Sequence, residues 1–298
     1  MKSIVLFHND TGGHASAYAA YSLLGSTAEY VPVDYQEPLP ELNIDSETTL
    51  YLLEFSYPEE VMISLKESVK KLVVIDHNPK TVERLKDITE VIYEPDTAAC
   101  VLTWLYFNPY MKVPKILKLV EDRDLWKFKL EDTKFVHYFL SSNGMTFNNP
   151  SIDNFKKWAM LVNSPEILDS IRTQGKAISM YVDKTLENFV KEKKYNRVYM
   201  FDLNVAFYPA DELISERADA ILNNSELSDP EIDMTMSYQV VEGNKFKFNL
   251  RSRQDSVDVA SFARQFGGDG RSNAAGFVLP FKSKEISASL VLNLAYNN

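Results

Sequence analysis

Side chains that can hold a metal ion follow several apolar segments of this 298-residue chain. His8 and Asp10 come after the first apolar segment, Glu54 ends a later one, and the pair Asp76-His77 follows the segment LVVI. In an open parallel sheet the carboxyl ends of the strands share one edge, and ligands bind at that edge. We therefore expect these side chains to meet in space, although they lie far apart along the chain.

Two further acids, Asp122 and Asp124 in the segment EDRDLW, complete the predicted ligand set. Imidazole and carboxylate ligands together suit Mn²⁺, with Mg²⁺ as the second choice. One or two such ions would polarise a phosphate and lower the pKa of a bound water. A simpler interpretation stays open for Asp10, because an acid at this position can also cap the following helix.

Alternating strands and helices must position these residues. Continuous apolar runs separated by helical patterns are typical of a parallel sheet that is covered on both faces. The first half of the chain is therefore predicted to be a doubly wound α/β domain. The predicted strands are Ser3–Phe7, Tyr30–Val33, Thr49–Phe55, Leu72–Ile75 and Glu90–Tyr93, and helices are predicted at Ala15–Leu24, after Pro58 and at Ala98–Phe107.

The pattern changes near Pro150, and we divide the chain into three parts. Residues 1–150 form the predicted N-terminal domain, residues 151–194 a helical connector, and residues 195–298 a smaller α/β domain. The predicted strands of the last part are Arg197–Asp202, Met234–Val241 and Lys245–Leu250, and its helices are Ser215–Leu222 and Val257–Phe266.

Composition limits the compartment and the partners. The formal net charge of −10 argues against binding long duplex nucleic acid, which requires many neutralised phosphates. No apolar stretch approaches the length of a membrane span and no secretory leader is recognisable, so we expect neither membrane insertion nor export. The single cysteine, Cys100, lies in an apolar run and is expected to be a buried, inert thiol in a cytoplasmic protein. A homodimer is left open.

Glycine and arginine are concentrated near the C-terminus. Four of the ten glycines fall in the segment GGDGRSNAAGF, which indicates a backbone that takes unusual angles or approaches a ligand closely. Arginine without lysine suits bidentate contact with a few phosphates. The alternative is that these arginines pair with nearby acids. The residues concerned are Arg251, Arg253, Arg264 and Arg271 and the acids Asp255, Asp258 and Asp269.

The ordered segments HNDTGGHASA, LLEFS, VIDHN, EDRDLW and NLRS…VDVASFARQFGGDGRSNAAGF resemble the DHH phosphoesterase family with its DHH-associated C-terminal domain. The resemblance covers nearly the whole chain, and it is greatest to members that hydrolyse short oligoribonucleotides or cyclic dinucleotides. It implies two lobes, a dinuclear Mn²⁺ site on the first lobe, and a substrate-binding second lobe that closes over a cleft.

The resemblance also implies roles for individual residues. Asp76, His77 and Asn78 match the catalytic triplet, with asparagine in place of its last histidine. Gly12 stands where the family has a second aspartate, and Glu54 stands where it has a metal-bridging aspartate. In the C-terminal motif the usual GGGGH has become GGDGR. The substrate-binding residues implied are Arg251, Arg253, Gly267, Gly268, Gly270, Arg271 and Asn273.

These residues and the resemblance lead to two main hypotheses about function, and a third is kept beside them. The first is a divalent-metal phosphoester hydrolase for small nucleotides or short oligonucleotides, carried by the surviving ligands. The second is a nucleotide-binding protein that keeps the cleft but has lost most catalysis, because Gly12 and Asn78 replace residues that the family uses in the reaction. Loss of one contact to the transition state typically lowers the rate about 10²–10³-fold. A third, an α/β protein recruited for protein–protein contact, has no motif of its own in support.

Overall fold

The computed structural model describes residues 2–35, 37–142, 152–200, 202–210, 212–241 and 243–281. These residues fall into two compact units, which divide between Met180 and Tyr181. The division lies inside the predicted helical connector. The domain limits at 150 and 194, and the closure of one lobe over the other, stay predictions.

The N-terminal unit is built on a five-stranded parallel sheet with the order β2-β1-β3-β4-β5. Its strands are short, apolar runs, as the sequence predicts, and the predicted parallel sheet is confirmed. The strands are β1 Lys2–His8, β2 Ala28–Val33, β3 Thr48–Leu53, β4 Lys71–Ile75 and β5 Glu90–Ile92.

Helices cover both faces of this sheet. One face packs Val5, Phe7 and Val73 against the helices that follow β1 and β5, and the other packs Ile4 and Leu6 against the helices that follow β3 and β4. A fully buried side chain of this size contributes about 1.5–3 kcal/mol to the stability of the unit. The helices are α1 Thr11–Leu24, α2 Glu59–Ser68, α3 Pro79–Leu85, α4 Ala99–Phe107, α5 Lys115–Asp124, α6 Thr133–Ser142, α7 Ile152–Asn163 and α8 Pro165–Lys191, with a 3₁₀ turn at Gly25–Thr27.

Two element boundaries near the strand ends differ from the predictions. The first helix begins at Thr11 rather than Ala15, because the Asp10 side chain caps it by accepting a hydrogen bond from the Gly13 N–H. Strand β3 ends at Leu53, because Glu54 has a φ of 56° in the left-handed region. Both differences place chemically active side chains at the strand edge.

The predicted connector is helical, and its first part belongs to the N-terminal core. Phe155 and Trp158 of α7 and Ile171 of α8 are buried in the same apolar cluster as α1 and α4. Gly175 allows α8 to approach α6, since a Cβ built on it would lie 1.9 Å from the carbonyl oxygen of Phe135.

The C-terminal unit has a six-stranded mixed sheet with the order β10-β11-β9-β8-β7-β6, in which β7 and β8 are parallel. One face packs against α10, and the other packs against α9 and the end of α8. Strands β7, β10 and β11 were not predicted. The elements are β6 Asn196–Met200, β7 Leu203–Pro209, α9 Ile214–Leu222, β8 Met234–Val241, β9 Lys245–Ser252, α10 Val259–Arg264, β10 Asp269–Arg271 and β11 Ala274–Pro280.

Among the described helices, none is both long enough and apolar enough to cross a bilayer.

Candidate metal centre

The register of the N-terminal sheet brings the predicted ligands to one level. Phe7 pairs with Leu53, and Leu53 pairs with Ile75, so the residues that follow them leave the sheet side by side. The Glu54 N–H donates to the carbonyl of Ile75 at 2.8 Å. His8, Glu54 and Asp76 therefore mark the carboxyl ends of three adjacent strands.

Glu54, His77 and Asp124 form a group whose candidate ligand atoms all lie within 4.8 Å of one another. The left-handed backbone at Glu54 ends β3 and keeps the carboxylate at the strand edge, where it is 7% exposed. Asp124 is the last residue of α5, and its side chain and that of His77 are largely buried. The spacing and the donor types suit a divalent cation.

The contact between His77 and Asp124 also fits a cation. His77 Nδ1 accepts a hydrogen bond from the Ala99 N–H at 3.3 Å, so it has no proton to donate. Asp124 Oδ2 lies 3.3 Å from this nitrogen and accepts no hydrogen bond from the described residues. Two acceptor atoms thus lie side by side, and a positive charge near them would lower their repulsion.

A second group lies at the ends of β1 and β2. His8 Nδ1 lies 3.0 Å from Asp10 Oδ2, and His8 Nε2 lies 3.6 Å from Asp34 Oδ1. Burial raises the pKa of Asp10, but the charge and hydrogen bond of His8, together with the Gly13 N–H, outweigh burial and lower the pKa. Asp34 was missed in the sequence, although it follows β2 directly and the rule applied to Asp76 would have identified it.

Asp76 and Asn78 stabilise the turn into α3. Asp76 Oδ1 accepts from the Asn78 N–H at 3.1 Å, and its Oδ2 accepts from the Thr81 hydroxyl at 2.7 Å. Asn78 Oδ1 accepts from the Lys80 N–H at 3.1 Å, so Asn78 is the N-cap of α3. The catalytic roles implied for both residues stay predictions.

The structure separates the two aspartates of EDRDLW. Asp122 is buried and accepts hydrogen bonds from the N–H groups of Lys129 and Leu130 and from the Thr133 hydroxyl. It therefore holds the loop between α5 and α6, and it lies outside the ligand group. Asp124 is the acid that faces Glu54 and His77.

The predicted substrate-binding residues all lie in the C-terminal unit. The Arg253 guanidinium donates to the carbonyl oxygens of Leu222, Ile232 and Asp229, which ties together the loops around α9. Arg251 Nη2 donates to the Ser215 hydroxyl at 3.1 Å, and Asn273 Nδ2 donates to Gln254 Oε1 at 3.3 Å. The remaining members are Gly267 and Gly268 before β10, and Gly270 and Arg271 within it.

Close packing accounts for part of the glycine motif. A Cβ on Gly268 would lie 2.1 Å from the carbonyl oxygen of Gly276, so β10 and β11 meet here only without a side chain. Arg264 pairs with Asp269 and Asp258, at 3.4 Å and 3.8 Å, as the alternative interpretation of the arginines proposed. The substrate-binding roles in this unit stay predictions.

No protein-family model matches the chain. Its sequence is similar to that of an uncharacterized protein of Acanthamoeba polyphaga mimivirus, with 23% identity over 257 residues. The match covers 83% of this chain and 58% of that protein, so the chain spans a little over half of that relative's length.

Among solved structures, the chain is similar to the DHH domain of a member of a family of ribosomal proteins. The TM-score is 0.61 at 14% identity, over 98% of this chain and 86% of that one. A pGpG-specific phosphodiesterase from Vibrio cholerae is 12% identical over the full length of both chains, with a TM-score of 0.45. The first likeness shows that the chain has the DHH-domain fold, as the motifs predict.

Proposed function

We propose, from the DHH-domain fold and the metal centre together, that this protein is a divalent-cation-dependent phosphoester hydrolase. The observation that carries the proposal is the buried group of Glu54, His77 and Asp124 at the carboxyl edge of the sheet. The cation is Mn²⁺ or Mg²⁺, and when bound it polarises a phosphoryl oxygen and lowers the pKa of a water.

The chain's own residues hold and orient the reacting groups. Glu54, His77 and Asp124 supply one nitrogen and two carboxylate ligands, and their burial limits exchange with bulk water. The Ala99 N–H fixes the ring orientation of His77 through Nδ1.

A positively charged side chain, that of Arg123, lies near Asp10 at this edge of the sheet and favours an anionic substrate. The charge of Arg123 contributes to the lowered pKa of Asp10, and the Arg123 guanidinium lies 5.0 Å from the centre of the Trp126 ring. An arginine held against an aromatic ring is pre-organised for phosphate. We propose small nucleotides or short oligonucleotides as substrates, with Arg251 and Arg271 as further phosphate contacts. Long duplexes are excluded from the proposal because of the net charge of −10.

The test is hydrolysis of bis(p-nitrophenyl) phosphate and of 5′-phosphorylated dinucleotides with Mn²⁺, Mg²⁺ or EDTA. We expect product release that needs the metal and is lost in His77→Ala. His137→Gln, on α6 of the same unit, is the matched control and should keep activity. Complete absence of product from both substrate classes at high protein concentration with Mn²⁺ would refute the proposal.

The second candidate is a nucleotide-binding protein with little catalysis. It is favoured by the engagement of Asn78 and both Asp76 oxygens in the turn into α3, since a capping side chain is committed to the helix. Calorimetry that shows tight dinucleotide binding without cleavage in Mn²⁺ would support it. Turnover of the bound dinucleotide would eliminate it.

A further inference from the structure

Gly12 and Glu54 share one small volume at the start of α1. A Cβ built on Gly12 would lie 2.4 Å from Glu54 Oε2, 2.7 Å from Oε1 and 2.9 Å from Cδ. Real side chains do not approach this closely, so the carboxylate of Glu54 occupies the space that a side chain at residue 12 would need. Any larger residue at position 12 must displace that carboxylate.

The neighbouring glycine differs in the kind of atom that it meets. A Cβ on Gly13 would lie 1.9 Å from the carbonyl oxygen of His8, which is backbone at the end of β1. Gly13 is therefore required for α1 to pack against the sheet. Gly12 meets only the end of a flexible side chain, so its substitution can be accommodated by moving Glu54 and not the backbone.

Residue 54 is also shaped for this contact. Its left-handed φ of 56° ends the strand, and its side chain is longer than that of aspartate by one methylene, which carries the carboxylate to the start of α1. The carboxylate belongs to the candidate ligand group with His77 and Asp124. The residue after β3 thus places one carboxylate of the candidate site in a volume that a side chain on α1 would otherwise fill.

We propose that Gly12 is a positioning residue for the metal centre, and that Glu54, directly after β3, supplies a carboxylate in the space that a side chain on α1 would need. This inference rests on the proposed function and deepens it. The metal centre then requires glycine at position 12, and the absence of a carboxylate at this position is not a defect. The carboxylate ligand that is missing at position 12 is replaced by the carboxylate of the longer side chain at position 54.

The test is a double-mutant cycle that uses Mn²⁺ affinity by calorimetry as the readout. The variants are Gly12→Ala, Glu54→Gly and the double variant Gly12→Ala/Glu54→Gly. Glycine suits the left-handed backbone at position 54, so Glu54→Gly removes the carboxylate without backbone strain. We expect Gly12→Ala to weaken Mn²⁺ binding at least tenfold in the natural background and to have no effect when Glu54 is already absent.

A rescue variant separates a ligand role from a purely structural one. Gly12→Asp/Glu54→Gly returns a carboxylate to the same volume from α1, and we expect it to bind Mn²⁺ at least tenfold more tightly than Glu54→Gly alone. Gly13→Ala is the structural control, and it should lower the melting temperature in EDTA much more than Gly12→Ala. Unchanged Mn²⁺ affinity in Gly12→Ala, or an equal loss in both backgrounds, would overturn the inference.

Melting temperatures in EDTA distinguish failure of this inference from failure of the proposed function. In the natural background the change in melting temperature caused by Gly12→Ala should be less favourable than in the Glu54→Gly background, because the Glu54 carboxylate must move to make room for the methyl group. With Glu54→Gly the same change should not lower it, since alanine favours helix over glycine. If the unaltered protein binds no Mn²⁺, the proposed function fails. If Gly12→Ala changes the melting temperature equally in the natural and Glu54→Gly backgrounds, the positioning role of Gly12 fails as well.

Discussion

Asp124 Oδ2 and His77 Nδ1 lie 3.3 Å apart, and the Ala99 N–H that donates to the same nitrogen supplies no proton for the carboxylate. This pair is favourable only when a positive charge lies nearby. Mn²⁺ should therefore raise the melting temperature of the protein, because a ligand that binds only the folded state stabilises it by mass action. His77→Ala should remove this increase, and His137→Gln should keep it. An equal increase in the His77→Ala variant would contradict the assignment.

The two aspartates of α5 should respond in opposite ways to substitution by asparagine. Asp124→Asn should weaken Mn²⁺ binding at least tenfold and leave the metal-free stability unchanged or higher, because it removes a carboxylate from a group of acceptors. Asp122→Asn should keep Mn²⁺ binding and cost about 1–3 kcal/mol, since it disturbs three buried hydrogen bonds. Urea unfolding and calorimetry measure the two effects. Loss of Mn²⁺ binding in Asp122→Asn alone would reverse the assignment.

Cys100 should be unreactive in the folded protein. Burial raises the pKa of its thiol well above the ordinary value, and the charges of Asp124 and Glu54 raise it further. The folded thiol stays neutral while the unfolded thiol ionises above a pH of about 8.5, so stability falls as pH rises past that value.

Two measurements check this behaviour. A disulfide reagent at pH 8 should label Cys100 only after unfolding in urea. The free energy of unfolding between pH 8 and 10 should fall less steeply in Cys100→Ala than in the natural protein. Rapid labelling of the folded protein would show that the thiol is accessible.

Asn78 should be required for stability through its cap. Asn78→Ala should cost about 1 kcal/mol, because the Lys80 N–H loses its acceptor, whereas Asn78→Asp should be nearly neutral. Thermal unfolding compares the two variants. A change in phosphoester hydrolysis that appears in Asn78→Asp without a change in melting temperature would show that the amide also acts in the reaction.

Arg253 should act mainly in the fold of the C-terminal unit. Its guanidinium satisfies three carbonyl groups, so Arg253→Ala should destabilise the unit by at least about 2 kcal/mol, and Arg253→Lys should recover little because lysine lacks the planar fork. Urea unfolding followed by circular dichroism measures the loss. A variant with unchanged stability but weaker dinucleotide binding would instead support the substrate contact predicted from the motif.

The strand ends were predictable because buried parallel strands are continuous apolar runs with clear limits. Glu54 and His77 were identified in this way, and the register then places their strands side by side. Asp34 follows the same rule, because the predicted strand Tyr30–Val33 ends directly before it, but the predicted ligand set does not include it. Its position beside β1 follows from the strand order, which the sequence pattern leaves open.

The choice between Asp122 and Asp124 could not be made from sequence. Residues two apart on an α-helix point in nearly opposite directions, and the pattern does not show which face meets the sheet edge. The contact between Gly12 and Glu54 was equally hidden, because it depends on the reach of one side chain from another strand. The glycines of GGDGRSNAAGF predict a backbone with unusual angles or a close approach to a ligand, whereas contact with the neighbouring backbone of Gly276 explains Gly268.

The candidate donors of the metal centre come from three separate stretches of chain, at residues 54, 77 and 124. No local fragment contains all of them, and each depends on a different boundary: the end of β3, the turn after β4 and the last residue of α5. All three donors can therefore bind one cation only when the whole N-terminal unit is folded. Release of a bound ion during unfolding would report the loss of tertiary structure rather than the melting of any one helix.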